Sequence, residues 1–142
     1  MTIDGLDDMA IRRILTSTKR VALVGISDRP SRPSYGVMAW LMRRGYDVTP
    51  VNPKLAGAVV HGKMVLASLD EAAAQAPLEM VDIFRASPHV PPVVDDAIRL
   101  GAQTVWMQLG VINADAARRA REAGLDVVMD RCPAIEVPRL GL

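Results

Sequence analysis

The stretch from Lys19 to Gly36, KRVALVGISDRPSRPSYG, constrains the fold more than any other part of this chain. Its apolar run Val21-Ala22-Leu23-Val24 has charge on one side and Gly25 on the other, the pattern of a strand covered on both faces, as in a parallel sheet. A loop containing Ser, Arg and Pro follows, with no further glycine until Gly36, and then a helical pattern begins. Where a buried strand turns into a helix, free backbone N–H groups and the positive helix end together attract an anion, usually a phosphate. Residues 25–36 are therefore the first candidate binding loop.

The same strand-then-helix unit recurs. Residues 4–17 place Leu6, Met9, Ala10, Ile14 and Leu15 near helical spacing, with acids early and arginines late, which predicts an amphipathic helix packed on a sheet. A helix over Tyr35 to Arg44 stops at Gly45, and residues 46–51, YDVTPV, form a second strand whose Pro50 demands an edge or a strand end. Residues 58–69 admit a short third strand or an irregular connection. Ser68 or Asp70 caps a short helix running through Ala76. Strands over 79–84, 103–108 and 125–129 then alternate with helices at about 89–100 and 114–123. This alternation predicts one α/β domain over residues 1–142, doubly wound around a mainly parallel five- or six-stranded sheet with helices on both faces.

Composition narrows the function. Half of the 142 residues are apolar but only one is Phe, so the core is aliphatic. A net charge of +1 implies no general attraction to nucleic acid or to an anionic membrane, and any cationic work must be local. The single cysteine, Cys132, excludes an internal disulfide and any multi-cysteine metal site. No segment approaches the roughly 18 consecutive apolar residues of a membrane span, and the acidic start MTIDGLDDMA lacks the features of a signal peptide. The expectation is a soluble, cytoplasmic protein.

In open parallel sheets, ligands bind beyond the C-terminal ends of the strands, where strand order reverses. Those ends are Gly25–Ser34, Asn52–Gly57, Arg85–Pro88, Gln108–Gly110 and Asp130–Pro133. The dinucleotide fingerprint requires three glycines, and here Ser27 and Pro30 occupy the second and third positions after Gly25. NAD sites also place an acid near the end of the second strand, roughly 20 residues past the glycines. This chain has Asn52-Pro53-Lys54 there instead. Lys54 would pair with a ribose phosphate, as in coenzyme A or NADP, and Arg29 and Arg32 add donors in the first loop. Against this stands the plain reading of all three as solvated loop charges.

With these motifs in view the chain resembles the CoA-binding domain family, both its small stand-alone members and the N-terminal domain of the succinyl-CoA synthetase α subunit. The resemblance rests on VALVGIS with Ser34-Tyr35-Gly36, VNPKLAG at 51–57, SLDEA at 68–72, VDIFRASPHVPPVVDDAIRLGAQTVWMQLG at 81–110 and GLDVVMDRCPAIE at 124–136. It implies a Rossmann-like domain that binds CoA or an acyl-CoA as a stand-alone binding or regulatory module without evident catalysis. Gly25 and Ile26 would form one wall, and the loop from Ser27 to Tyr35, ending at Gly36, would contact the pantetheine or pyrophosphate. Lys54 beside Asn52 and Pro53 would lie near the adenosine phosphate, and Arg85, Ser87 and Pro88 would line the adenine or pantetheine side. Gln108 and Gly110, at the end of the fifth strand, complete the candidate set. The synthetase's phosphorylated histidine belongs to a second domain that this chain lacks, so that reaction is not expected here. An NADP-binding domain or reductase, and a non-catalytic subunit of a synthetase-like complex, are the alternatives; a homo-oligomer or a separate protein partner stays open.

Cys132 lies at a strand end on the binding face, with Arg131 placed to lower its pKa, but a buried packing cysteine is the favoured reading. A mixed disulfide with the CoA thiol is the minor one. His61 and His89 belong to no metal-ligand spacing and read as partly exposed surface residues. Glu136 and Asp130 could pair near the last strand, although ion pairs with Arg131 or Arg139 explain them equally. Trp40 and Trp106 read as core residues.

Overall fold

The computed structural model describes residues 2–142. Its first helix, α1 (Asp8–Ser17), starts four residues later than the periodicity predicts. Gly5 takes a left-handed φ of +70°, and the Asp4 carboxylate accepts the Leu6 N–H, so this stretch forms a turn before Asp7 caps the helix by accepting from the Ala10 N–H. Strand β1 (Arg20–Val24) is buried along its whole length. Helix α2 (Pro33–Arg43) begins two residues before the predicted Tyr35, because Pro33 has the fixed φ that the first helical position requires.

Strand β2 (Asp47–Val51) pairs in parallel with β1 and places Pro50 opposite Leu23. Proline is tolerated because β2 bonds to β1 through alternate residues: the Val51 carbonyl accepts from Gly25 N–H, while Pro50 faces the outer side and only accepts, from Leu66 N–H. The ambiguous segment after β2 contains both predicted forms. Val59–Val60 (β3) and Lys63–Met64 (β4) make a hairpin turned by His61 and Gly62, both at positive φ. Leu66 then forms a single parallel bridge with Val51, a rudimentary sixth strand at the sheet edge.

The remaining elements are α3 (Leu69–Gln75, capped by Ser68), β5 (Met80–Ile83), α4 (Val90–Arg99), β6 (Thr104–Met107), α5 (Ala114–Glu122, capped by Asn113), β7 (Asp126–Val128) and α6 (Pro133–Arg139). Helix α6 lies outside the predicted elements. Its short run contains two prolines, and apolar periodicity over seven residues is too brief to distinguish a helix from a tail.

The strands run in the order β2-β1-β5-β6-β7, all parallel. Alternate side chains divide the core between two faces. Ala22, Val24, Val81, Ile83, Val105 and Met107 pack under α3, α4 and α5; Val21, Leu23, Met80, Trp106 and Val128 pack under α1, α2 and α6. This is the α/β, Rossmann-like, doubly wound architecture, with five sheet strands and the bridge at Leu66 in the position of a sixth. Trp106 is fully buried and its indole N–H donates to the Arg131 carbonyl at 2.7 Å, whereas Trp40 is half-buried beneath the Arg44 guanidinium. No described helix is long and apolar enough to cross a membrane.

Candidate functional site

Between β1 and β5 the strand order reverses, and the loops that leave their C-terminal ends diverge into a crevice. Gly25 starts this divergence. Its φ is +92°, and a Cβ at this position would sit 2.3 Å from the Phe84 carbonyl oxygen, so only glycine allows β1 and β5 to approach this closely. The loop after Gly25 closes on itself: Ser34 Oγ accepts from the Ser27 N–H at 3.0 Å and Ser27 Oγ from the Arg29 N–H at 3.1 Å. That arrangement brings the start of α2 to the crevice. Asn52 locks the second loop to the first, donating from Nδ2 to the Ile26 carbonyl and accepting the Lys54 N–H on Oδ1, each at 2.9 Å.

Two cavities flank the crevice. One of about 600 Å³ lies on the α2 side and is bordered by Gly25, Ile26, Ser27, Arg32, Ser34, Asn52, Lys54, Arg85 and Gln108, with Leu55, Phe84, Leu109 and Cys132 as its apolar wall. The other, of about 370 Å³, lies on the α4 side and adds Pro53, Ser68, Pro88, His89 and Asp96. Gly25, Asn52, Lys54 and Arg85 border both. These shared residues bring the two cavities together at the C-terminal ends of β1 and β5.

Most basic side chains elsewhere are engaged. Arg13, Arg99, Arg118, Arg119, Arg131 and Arg139 all pair with carboxylates. Among the described residues Arg29, Arg32, Lys54 and Arg85 make no ion pair, as is true of Lys19 and Arg43 elsewhere, and these four stand on this end of the sheet. Of the nearby acids, Asp96 pairs with Arg99 and Asp130 accepts the Gly110 N–H at 2.8 Å, while Asp28 is exposed on the first loop beside Arg29. The crevice is therefore locally cationic in a chain that is almost neutral overall.

Five of the residues singled out from sequence border neither cavity. Arg29 is exposed on the first loop, and Gly36 lies on the open side of α2. Tyr35 packs its ring 4.2 Å from His61, whose Nε2 meets the Tyr35 carbonyl at 2.8 Å. Ser87 joins two loops, its Oγ accepting from Ile112 N–H and its carbonyl accepting from Asn113 Nδ2. Gly110 is held by Asp130 at a φ of +77°. Residues missed in the sequence are mostly apolar, such as Leu55, Phe84 and Leu109; nothing distinguishes an apolar loop residue from core until the fold is known. His89 is exposed, as expected, and stands on the rim of the second cavity.

Cys132 is buried, and burial raises its thiol pKa, with the charges of Asp82 and Glu136 adding to the effect. The expectation that Arg131 lowers it fails because that guanidinium turns the other way, into a buried network with Asp4 (2.7 Å) and Glu136 (3.2 Å). Glu136 also accepts from Arg139 at 2.5 Å, so it pairs with both arginines and not with Asp130. Burial disfavours the Asp4 carboxylate, but hydrogen bonds from Arg131 and from the Leu6 and Met129 N–H groups hold its pKa down at about 2.

Asp82 is a polar residue of this region that sequence reasoning missed. It sits in the middle of the central strand β5 with no exposed surface; Oδ1 accepts from Gln108 Nε2 at 2.8 Å and Oδ2 has no partner. Desolvation raises its pKa to about 7 against the opposing effect of that hydrogen bond. Its one signal in the sequence is a single acid inside the apolar run MVDIF.

A doubly wound parallel sheet with a crevice at its switch point defines a Rossmann-like domain. The chain belongs to the CoA binding domain family, whose pattern matches residues 19–138. It is similar to the Bacillus subtilis protein YneT, 37% identical over 122 residues that cover 86% of this chain and 87% of that one. Among solved structures it is similar to a hypothetical protein from Pyrococcus horikoshii OT3 (41% identity, TM-score 0.92, 100% and 97% of the two chains covered). A protein from Thermus thermophilus is also similar (32% identity, TM-score 0.89, 95% and 99% covered).

Proposed function

We propose that this chain binds coenzyme A or an acyl-CoA and acts as a ligand-responsive module. The carrying observation is the set of uncommitted cations Arg32, Lys54 and Arg85 around a crevice with no acid at the end of β2, in a member of the CoA binding domain family. A diphosphate would lie at the start of α2, where the positive helix end and Arg32 meet the larger cavity. Lys54 borders both cavities and would meet the phosphate on the ribose. The apolar wall of Leu55, Phe84 and Leu109 would take the pantetheine arm.

Calorimetry with CoA, dephospho-CoA, NADP and NAD tests this. CoA should bind more tightly than dephospho-CoA by about tenfold, the effect of one charge-assisted contact. Lys54→Met should abolish that difference. Equal affinity of the wild type for CoA and dephospho-CoA removes the role given to Lys54, and tighter binding of NADP than CoA replaces the reading with an NADP site.

A further inference from the structure

Gln108 is a buried residue at the end of β6 that borders the larger cavity beside Cys132. Its Nε2 is committed to Asp82. Among the described residues its Oε1 accepts from no donor and is not one of the sealed unpartnered atoms, so it is the polar atom this cavity-lining side chain has left to offer. A carboxylate only accepts, so an ionised Asp82 compels the amide to turn its NH₂ inward and its oxygen outward. Asp82 is enclosed on all sides. Leu23 on β1 and Trp106 on β6 flank it in register, α1 and α2 add Ile14 and Met38 to the same apolar face, and the titratable group facing it is the Cys132 thiol. A charge-bearing residue with an orphan oxygen is expensive in such a place, and packing alone would be served better by Val or Leu.

We infer that Asp82 is a positioning residue: it pins Gln108 with its carbonyl oxygen towards the bound molecule, so that this end of the site selects an occupant carrying an N–H donor, such as a secondary amide of a pantetheine arm. The inference rests on the CoA reading of the site and deepens it. Phosphate-side residues hold the nucleotide, and the Asp82–Gln108 pair reads the arm. When Asp82 takes up a proton it can donate, the amide is free to turn, and the acceptor offered to the cavity is lost. Protonation of one sealed carboxyl thus governs what the cavity wall presents.

The test compares CoA with adenosine 3′,5′-bisphosphate, which lacks the arm, on the full chain and its Gln108→Met, Asp82→Asn and doubly substituted variants. Gln108→Met should weaken CoA by about tenfold, one hydrogen bond's worth, and leave the bisphosphate unchanged. Asp82→Asn should weaken CoA where Gln108 is retained and have no further effect once Gln108→Met is already in place. Equal effects of Asp82→Asn with and without Gln108→Met, or equal losses for both ligands, overturn the inference. A second measurement needs no ligand: the Gln108 side-chain NH₂ signals in ¹⁵N–¹H NMR should shift with pH near neutrality in the wild type and stay fixed in Asp82→Asn. Signals that are invariant in the wild type also overturn it. A wild-type chain that binds no CoA refutes the CoA reading separately, and the NMR result then decides the pairing alone.

Discussion

Asp82→Asn should abolish the pH dependence of stability that the buried acid imposes. A carboxyl whose pKa is raised on folding binds its proton more tightly in the native state. Stability is then greatest below the unfolded value and is lost as pH rises to the native value. For Asp82 that window runs from 3.8 to about 7. At about 1.4 kcal/mol per pKa unit the loss is on the order of 4 kcal/mol, complete just above neutrality. Asparagine is neutral like the protonated carboxyl and can either donate to Gln108 or accept from it, so it carries no buried charge at any pH and resembles the wild-type side chain once that is protonated. The two proteins should therefore differ little near pH 4, and Asp82→Asn should be the more stable by about 4 kcal/mol at pH 8. With a urea slope of about 1–3 kcal/mol per molar, this is a shift of at least about 1 M in the unfolding midpoint, read by circular dichroism. A difference that is the same at pH 4 and pH 8, or a variant less stable than wild type at pH 8, refutes the reasoning. Asp4 titrates with the opposite sign and below this window, so it does not mask the effect.

Three further outcomes are expected. Gly25→Ala should destabilise by roughly 2–5 kcal/mol, because it combines a left-handed backbone with a Cβ 2.3 Å from the Phe84 carbonyl; an unchanged thermal midpoint would show that the crevice yields. Asp4→Asn should cost about 3 kcal/mol at pH 7, since it leaves the buried Arg131 with Glu136 alone, and the loss should shrink to about 1 kcal/mol by pH 2.5, as wild-type Asp4 approaches its native pKa of about 2; urea titrations at pH 7 and about pH 2.5 check both halves. Cys132 should react with iodoacetamide at pH 8 far more slowly in the folded protein than in urea, and more slowly still with CoA present; equal rates with and without CoA would place the ligand away from that wall.

Several features of this molecule are local and therefore readable from the chain. The runs VALV, MVDI and TVWM announce strands because a parallel sheet buries both faces of each, and Ser68 announces a helix start because its cap bond spans three residues; the caps Asp7 and Asn113 show only in the structure. The lack of an acid near Lys54, the loop after Gly25 and the family resemblance are equally legible, as residue identities at fixed spacing. Contacts between distant segments are not. Asp4 meets Arg131 across 127 residues, and its pairing turns a guanidinium away from Cys132. Asp82 finds Gln108 only because β5 and β6 are neighbours in register, and the left-handed Gly25 is explained by the distant Phe84. Tertiary structure also separates Tyr35, Gly36, Ser87 and Gly110 from the cavities that their neighbours in sequence line. The physical reason is that periodicity and capping report the surroundings of a single segment. Which strand edges pair, and which polar groups are then sealed together without water, is settled only by the packing of the whole sheet.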